Sequence, residues 1–404
     1  MNGSASEHTL TTMPAERRPG CPFDPPKELI DAREQASISR LVFADGHEGW
    51  VVTGYDLVRS ILADRRFSSR KELMSHHPTV DYSGIEVPPA SPGEFLLMDD
   101  PQHSRYRKPL VGRFTLRRMR LLTERVEQIT AAHLDAMEQA GPSADLVTAF
   151  AKPIPSVVIC ELLGVPYEDR DFFQKQYEVF IGGEATDEEL IAAYLATQQY
   201  LADLVAAKRA DPTDDLLSDL TDSDLTDEEL KGMSMILLGA GFDTTANMLA
   251  LGAFALLQHP EQLAAWRSDP ALADGAVEEL LRYLAVVKGS MRVALEDVEL
   301  DGRTIEAGAT VILSYNTANR DPGRFADPQT LDLKRDDGGH LAFGHGIHQC
   351  LGQQLARIEL KVALPALLDR FPTLRLAVPA DEVVLRPESA DIYGVKSLPV
   401  TWDA

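Results

Sequence analysis

The chain has 404 residues, 44% of them hydrophobic, and a formal net charge of −24. That length and apolar content suffice for a large buried core, while the acidic surplus excludes general affinity for nucleic acid or for an anionic membrane surface. The three cysteines, Cys21, Cys160 and Cys350, are odd in number and far apart. No disulfide framework follows, and a reducing, cytoplasmic setting is expected.

Residues 1–26, MNGSASEHTLTTMPAERRPGCPFDPP, contain no apolar stretch of signal-peptide length and read as a flexible polar tail. Residues 27–404 are expected to form one domain. GWVVTGY (49–55) has strand character, and DLVRSILADRRF after it has helical spacing. DDPQHSRYRKPL opens with acids and a proline, which are helix-start signals, and the long amphipathic stretch from Thr115 closes at Gly141. Two more helices are predicted within 155–180. Thr226 and Glu229 form a T-x-x-E capping box that opens a helix running to Gln258, with Pro260 beyond. At 1.5 Å per residue this helix spans roughly 50 Å. Its segment 233–257 imitates a membrane span, but Asp243 and two threonines at its middle favour a core helix, so no membrane anchor is expected. DGAVEELLRYL is a further helix, and Asp301-Gly302 within an alternating stretch marks a hairpin. Helices dominate and strands cluster near both ends, which predicts a mainly α fold with smaller β-sheets (α+β) and no doubly wound sheet.

The chemistry concentrates in HLAFGHGIHQCLGQQLARIEL, residues 340–360. Gly344 and Gly346 permit left-handed backbone, and Cys350 stands where an apolar-periodic helix begins. N–H groups and the helix dipole favour an anion there, which would lower the thiol pKa and make a soft metal ligand. Three readings compete: a buried free cysteine, zinc held by His345, His348 and Cys350, or haem iron held by Cys350. A phosphate loop lacks its Gly-Lys-Ser/Thr. At the centre of the long helix, AGFDTT (240–245) sets a glycine, an acid and two hydroxyls in an apolar surround. Gly241 would open a groove for a small ligand beside Ala240, Thr244 could hold a water, and Asp243 could pass protons from solvent.

FGHGIHQCLG (343–352) resembles the Phe-Gly-x-Gly-x-His-x-Cys-x-Gly signature of the cytochrome P450 family, and AGFDTT resembles that family's acid–alcohol pair. EELLR, with Glu279 and Arg282, resembles its Glu-x-x-Arg motif. By spacing alone those two make only a surface ion pair; the resemblance adds Arg335 as a third, structural member. Four motifs in order, from about residue 20 to the C-terminus, match soluble bacterial members. The resemblance implies the family's triangular-prism fold around a long central helix. It also implies haem b (iron protoporphyrin IX) bound through Cys350, with Phe343, Gly344, Ala240 and Gly241 against it. His103, Arg107, Arg292 and His348 would hold its propionates. It further implies monooxygenase chemistry: dioxygen activation with protons supplied through Asp243 and Thr244, and hydroxylation or epoxidation of a hydrophobic small molecule such as a secondary metabolite, a steroid or terpenoid, or a xenobiotic. Electrons would come from a ferredoxin and its reductase. Residues 105–120 hold seven cations and no acid, a candidate docking patch, with Arg117 and Arg118 as its test. Phe95, Leu96, Leu97, Ile236, Leu237, Val286, Val287 and Ile392 are expected to line the substrate pocket, and 76–96 and 180–187 to act as lids. The other function class is a non-catalytic haem- or zinc-binding protein using the His345/His348/Cys350 loop.

Overall fold

The computed structural model describes residues 9–17, 21–74, 76–81, 83–113, 116–181, 185–336, 338–387, 390 and 392–403. Helices alternate with short strands in the order β1 (Thr9–Leu10), α1 (Lys27–Gln35), β2 (Ile38–Val42), β3 (Glu48–Val52), α2 (Tyr55–Ala63), β4 (Phe67–Ser68), α3 (Gln102–Val111) and α4 (Leu116–Ala140). Then come β5 (Ser143–Asp145), α5 (Pro153–Leu163), α6 (Arg170–Ile181), α7 (Asp187–Ala210), α8 (Leu216–Thr221), α9 (Asp227–Gln258), α10 (Pro260–Ser268) and α11 (Ala273–Leu284). The rest is β6 (Gly289–Ala294), β7 (Val298–Leu300), β8 (Arg303–Ile305), β9 (Thr310–Ser314), α12 (Tyr315–Ala318), α13 (Gln353–Arg370), β10 (Arg375–Leu376), β11 (Val384–Leu385), β12 (Val395–Ser397) and β13 (Pro399–Thr401). The mainly α expectation holds.

The capping box expected at Thr226 is present: Glu229 N donates to Thr226 Oγ1 at 3.2 Å and Thr226 N donates to Glu229 Oε2 at 2.8 Å. From it α9 runs 32 residues, long enough at about 1.5 Å per residue to cross the molecule. It packs against α5, α7, α10, α11 and α13, and its apolar stretch is mostly inside the protein, as the core-helix reading requires. Leu249, Leu251, Ala253, Ala255 and Leu256 are fully buried; at about 25 cal/mol per Å² such burial is the main stabilising term.

The largest sheet has the order β1-β2-β3-β9-β6-β4. β3 runs parallel to β9, with Trp50 opposite Val311, which joins the two ends of the chain. The β7–β8 hairpin turns at Asp301 and Gly302, both with positive φ (48° and 70°), as an Asp-Gly turn that follows the strand twist demands.

The expected flexible tail is corrected where it is described. Thr9 and Leu10 pair with Arg40 and Leu41, Phe23 is buried with its ring against Phe254, and the Arg17 guanidinium lies 3.5 Å over the Tyr393 ring. Proline and polar letters hid these few anchors. Residues 1–8 and 18–20 of the segment lie outside the described residues, as do Tyr82 and 182–184 of the two expected lids.

Candidate active site

The cysteine loop is a locked turn between α11 and α13. Gly344 and Gly346 have φ of +65° and +74°, which L side chains rarely adopt, and a Cβ on Gly346 would overlap the Leu62 carbonyl of α2. Cys350 N donates to Phe343 O at 2.9 Å. Behind the loop, Arg357 of α13 donates to Glu278 of α11 at 2.6 and 3.0 Å and lies 4.6 Å over the Phe343 ring. His340 Nε2 is 3.2 Å from the same carboxylate. The sequence reading missed this Glu278–His340–Arg357 bracket; Arg357, seven residues after Cys350 on its helix, was the available signal.

The thiol itself departs from expectation. Burial raises the Cys350 pKa, and the N–H groups of Gly352 and Gln353 with the cations Arg107 and Arg357 lower it less. α13 begins at Gln353, so the helix terminus is three residues away and desolvation wins for the unligated sulfur. A coordinated metal would deprotonate it outright.

Next to the loop the structure brings His103, Arg107, Arg292 and His348 together. The His103 and His348 rings are 4.3 Å apart, and Arg107 Nη2 donates to Gln349 O at 2.5 Å. Arg292 donates to Met291 O at 2.7 Å and lies in the field of the His348 ring. Neither ring nitrogen of His103 or His348 has a hydrogen-bond partner, though all four are buried; the Asp100 carboxylate stands 3.7 Å from His103. Burial lowers the pKa of all four residues, that of His348 to about 3 with Arg292 and His103 adding to the effect. Buried donors without acceptors cost free energy, so this cradle fits a ligand that brings carboxylates. Two propionates beside a thiolate-bound iron satisfy that requirement.

At mid-helix α9 presents an accessible stripe: Ile236, Ala240 and Thr244 at i, i+4 and i+8, flanked by Leu237. Ala240, at mid-helix, is classed as exposed, and the Thr244 hydroxyl donates to its carbonyl at 2.8 Å. Gly241 does not open that stripe. A Cβ there would meet Ile159 Cδ1 at 2.9 Å, so the glycine admits α5 rather than a ligand. Asp243 likewise faces away from Thr244: its Oδ2 accepts from Arg386 at 2.6 Å and its Oδ1 from Asn247 at 2.8 Å. Neither partner was foreseen, and Arg386 is remote in sequence.

Of the expected pocket residues, Val287 and Ile392 form a β-bridge, and Tyr393 N donates to Val286 O at 2.8 Å. Leu97, Ile236, Leu237, Val287 and Ile392 are part-exposed. Phe95 is a correction: at 1% exposure it belongs to the core, 6.4 Å from the His103 ring, while Leu96 points outward.

The pair expected from spacing to be a surface contact is buried. Arg282 donates to Glu279 at 2.7 and 2.8 Å, Arg335 Nε donates to it at 3.1 Å, and both partners of the first pair are 2% exposed. The zinc reading fails on geometry: among the described residues no three His, Cys, Asp or Glu side chains gather as metal donors, and His345 instead feels Arg59. The basic stretch is partly consumed internally. Arg105 pairs with Asp224 and Glu229 at 2.8 and 3.1 Å, and Arg118 with Asp219 at 2.7 Å. Lys108, Arg117 and Arg120 are exposed, and residues 114 and 115 lie outside the described set.

A cysteine-centred loop, a cationic cradle for carboxylates and an apolar helix stripe define a haem–thiolate protein. The cytochrome P450 family model matches residues 187–389. Cytochrome P450 105C1 of Streptomyces sp is 51% identical over 383 residues, 94% of this chain and 96% of that one. Pentalenic acid synthase of Streptomyces avermitilis is 45% identical over 387 residues, covering 95% of each. The crystal structure of CYP105P1 in complex with filipin I matches with a TM-score of 0.90 at 42% identity, over 98% of this chain and 99% of that one. The chain belongs to the cytochrome P450 family, has its fold, and is a monooxygenase with a haem cofactor.

Proposed function

We propose that this monooxygenase hydroxylates or epoxidises a hydrophobic small molecule of secondary-metabolite, steroid or terpenoid, or xenobiotic type, with electrons from a ferredoxin and its reductase, as a single domain in the cytoplasm. The observation that carries this reading is the placement of Cys350 beside Arg107, Arg292 and the unpartnered His103 and His348 rings. The apolar stripe Ile236–Leu237–Ala240 supports an apolar substrate, as do the relatives named for pentalenic acid and crystallised with filipin I.

Bound at Cys350, haem supplies reductive activation of dioxygen, with the thiolate's electron donation favouring O–O cleavage. The chain's own residues hold, orient and protonate. Cys350 provides the sulfur, and the N–H groups of Gly352 and Gln353 set its electron density. His103, Arg107, Arg292 and His348 bind carboxylates. Thr244, whose hydroxyl donates to Ala240 O, keeps its lone pairs for a water, and Asp243, paired with Arg386, is the acid that relays protons from solvent. Leu97, Val287 and Ile392 orient substrate and exclude water, with Val286 buried in the core behind them. Glu279, Arg282 and Arg335 keep the cysteine-side core in place. Lys108, Arg117 and Arg120, on and after the helix that Arg107 ties to the cysteine loop, offer an acidic ferredoxin a landing face.

A reduced, CO-bound difference spectrum tests the ligation. A strongly red-shifted Soret band in the parent, abolished in Cys350→His, is expected; a colourless parent overturns it. Thr244→Ala should keep the band and divert electrons to peroxide; full coupling in that variant removes the proton role of Thr244.

A further inference from the structure

Helix α9 holds four glycines, Gly232, Gly239, Gly241 and Gly252. A Cβ on Gly232 would overlap the Pro92 carbonyl, one on Gly241 would meet Ile159 at 2.9 Å, and one on Gly252 would meet Leu364 at 3.3 Å. Close packing accounts for those three. Gly239 differs: a Cβ there would meet no neighbouring segment within 4 Å. Glycine is less favourable than alanine inside a helix, and here no approaching chain offsets the loss.

The space beside Gly239 is a cavity of about 80 Å³ enclosed by α5, α6, α7 and α9. Helix α6 rests on α7 and α5, which leaves a gap toward α9. Cys160 and Phe242 are buried in the cavity wall, whereas Gln176, Phe180, Met235 and Gly239 are part-exposed. Met235 and Gly239 directly precede Ile236 and Ala240 of the accessible stripe. The open end of the cavity therefore meets that stripe along one edge of α9.

The walls favour an apolar occupant. The hydroxyl of Thr197, a wall residue, is spent on Ala193 O at 2.8 Å. Burial pushes the Cys160 thiol up to about 12, so it stays neutral. Phenyl rings, a thioether and a thiol present polarisable, uncharged surface. An apolar cavity of roughly 150 Å³ holds benzene, so one of about 80 Å³ suits a smaller group such as an isopropyl branch.

We propose that Gly239 is a specificity-determining position: it joins the substrate face of α9 to this annex, which receives an aliphatic branch of the substrate. The inference rests on reading the Ile236–Ala240–Thr244 stripe as the substrate face. Stripe and annex together hold a branched molecule at two points, where the stripe alone would let it turn. Any side chain at 239 larger than methyl closes the opening.

The test uses the haem-loaded ferric protein, with Gly239→Ala and Gly239→Leu beside the parent. Cys350 is taken by iron, so Cys21 and Cys160 supply the remaining S–H infrared bands, told apart by Cys160→Ala. In the parent, xenon under pressure and isopropylbenzene at its solubility limit should each shift the Cys160 band and leave the Cys21 band in place. Gly239→Leu should abolish both shifts. In titrations of the haem spin state, Gly239→Leu should weaken isopropylbenzene relative to benzene by at least about tenfold, with Gly239→Ala between it and the parent. An unmoved Cys160 band in the parent, or equal losses for the two probes in Gly239→Leu, overturns the proposal. Ala240→Val narrows the stripe itself and separates the two readings. If it weakens both probes while Gly239→Leu does not discriminate between them, the annex is dismissed and the stripe stands. If it changes the binding of neither, the stripe is not the substrate face.

Discussion

Glu279→Gln isolates the energetics of the buried triad. Glu279 accepts from Arg282 Nε at 2.7 Å, Arg282 Nη2 at 2.8 Å, Arg335 Nε at 3.1 Å and Asp332 N at 2.9 Å. Glutamine keeps the shape but removes the charge and turns one acceptor into a donor facing guanidinium N–H groups. At least two charge-assisted bonds go, each worth roughly 1.5–3 kcal/mol, and Arg282, 2% exposed, becomes an unpaired buried cation. The expected loss is about 3–5 kcal/mol, a large share of the roughly 5–15 kcal/mol typical of a folded protein. The damage should reach the cofactor, because Arg282 Nη1 donates to Asn319 O at 2.8 Å and Asn319 Oδ1 accepts from Leu341 N at 2.7 Å, at the start of the cysteine loop. Urea denaturation followed by far-UV circular dichroism, with the Soret-to-protein absorbance ratio of the purified variant, measures both effects. Arg370→Gln is the control: its pairs with Asp135 and Glu138 are part-exposed, so it should change stability by at most about 1 kcal/mol. A Glu279→Gln protein as stable and as haem-replete as the control would refute the argument.

Gly346→Ala places a Cβ against the Leu62 carbonyl at a φ of +74°. It should cost at least about 1–2 kcal/mol and lower haem occupancy, whereas Gly352→Ala, with open space around it, should be milder. Burial alone would raise Glu278, but hydrogen bonds from His340 and Arg357 outweigh it and take its carboxyl down to about 2. A depressed folded pKa contributes stability above the ordinary glutamate range and loses it as pH falls toward 2, so Glu278→Gln should flatten the pH dependence of stability between about 4.3 and 2. An unchanged acid limb would count against the bracket. Arg117→Glu with Arg120→Glu should slow electron transfer from an acidic ferredoxin steeply at low salt and less at high salt. Equal rates in stopped flow at both ionic strengths would remove the docking face.

What local sequence could determine, it did. The glycines before Cys350, the Thr226–Glu229 cap and the Asp301-Gly302 turn each depend on backbone conformation or hydrogen bonds within a few residues. The signature at 343–352 is likewise contiguous, so the family was legible from it. Burial and distant partners belong to the tertiary structure. The i, i+3 spacing of Glu279 and Arg282 reads as solvated until Asn319, Pro328 and Thr330 close over it. Arg118 reads as a free surface cation until Asp219 meets it, and Gly241 as a ligand groove until Ile159 fills it. Asp243 finds Arg386 143 residues away, and the Cys350 thiol is raised because burial in the folded loop outweighs a helix terminus three residues distant. In each case desolvation and charge pairing, which act through space, decided what spacing along the chain could not.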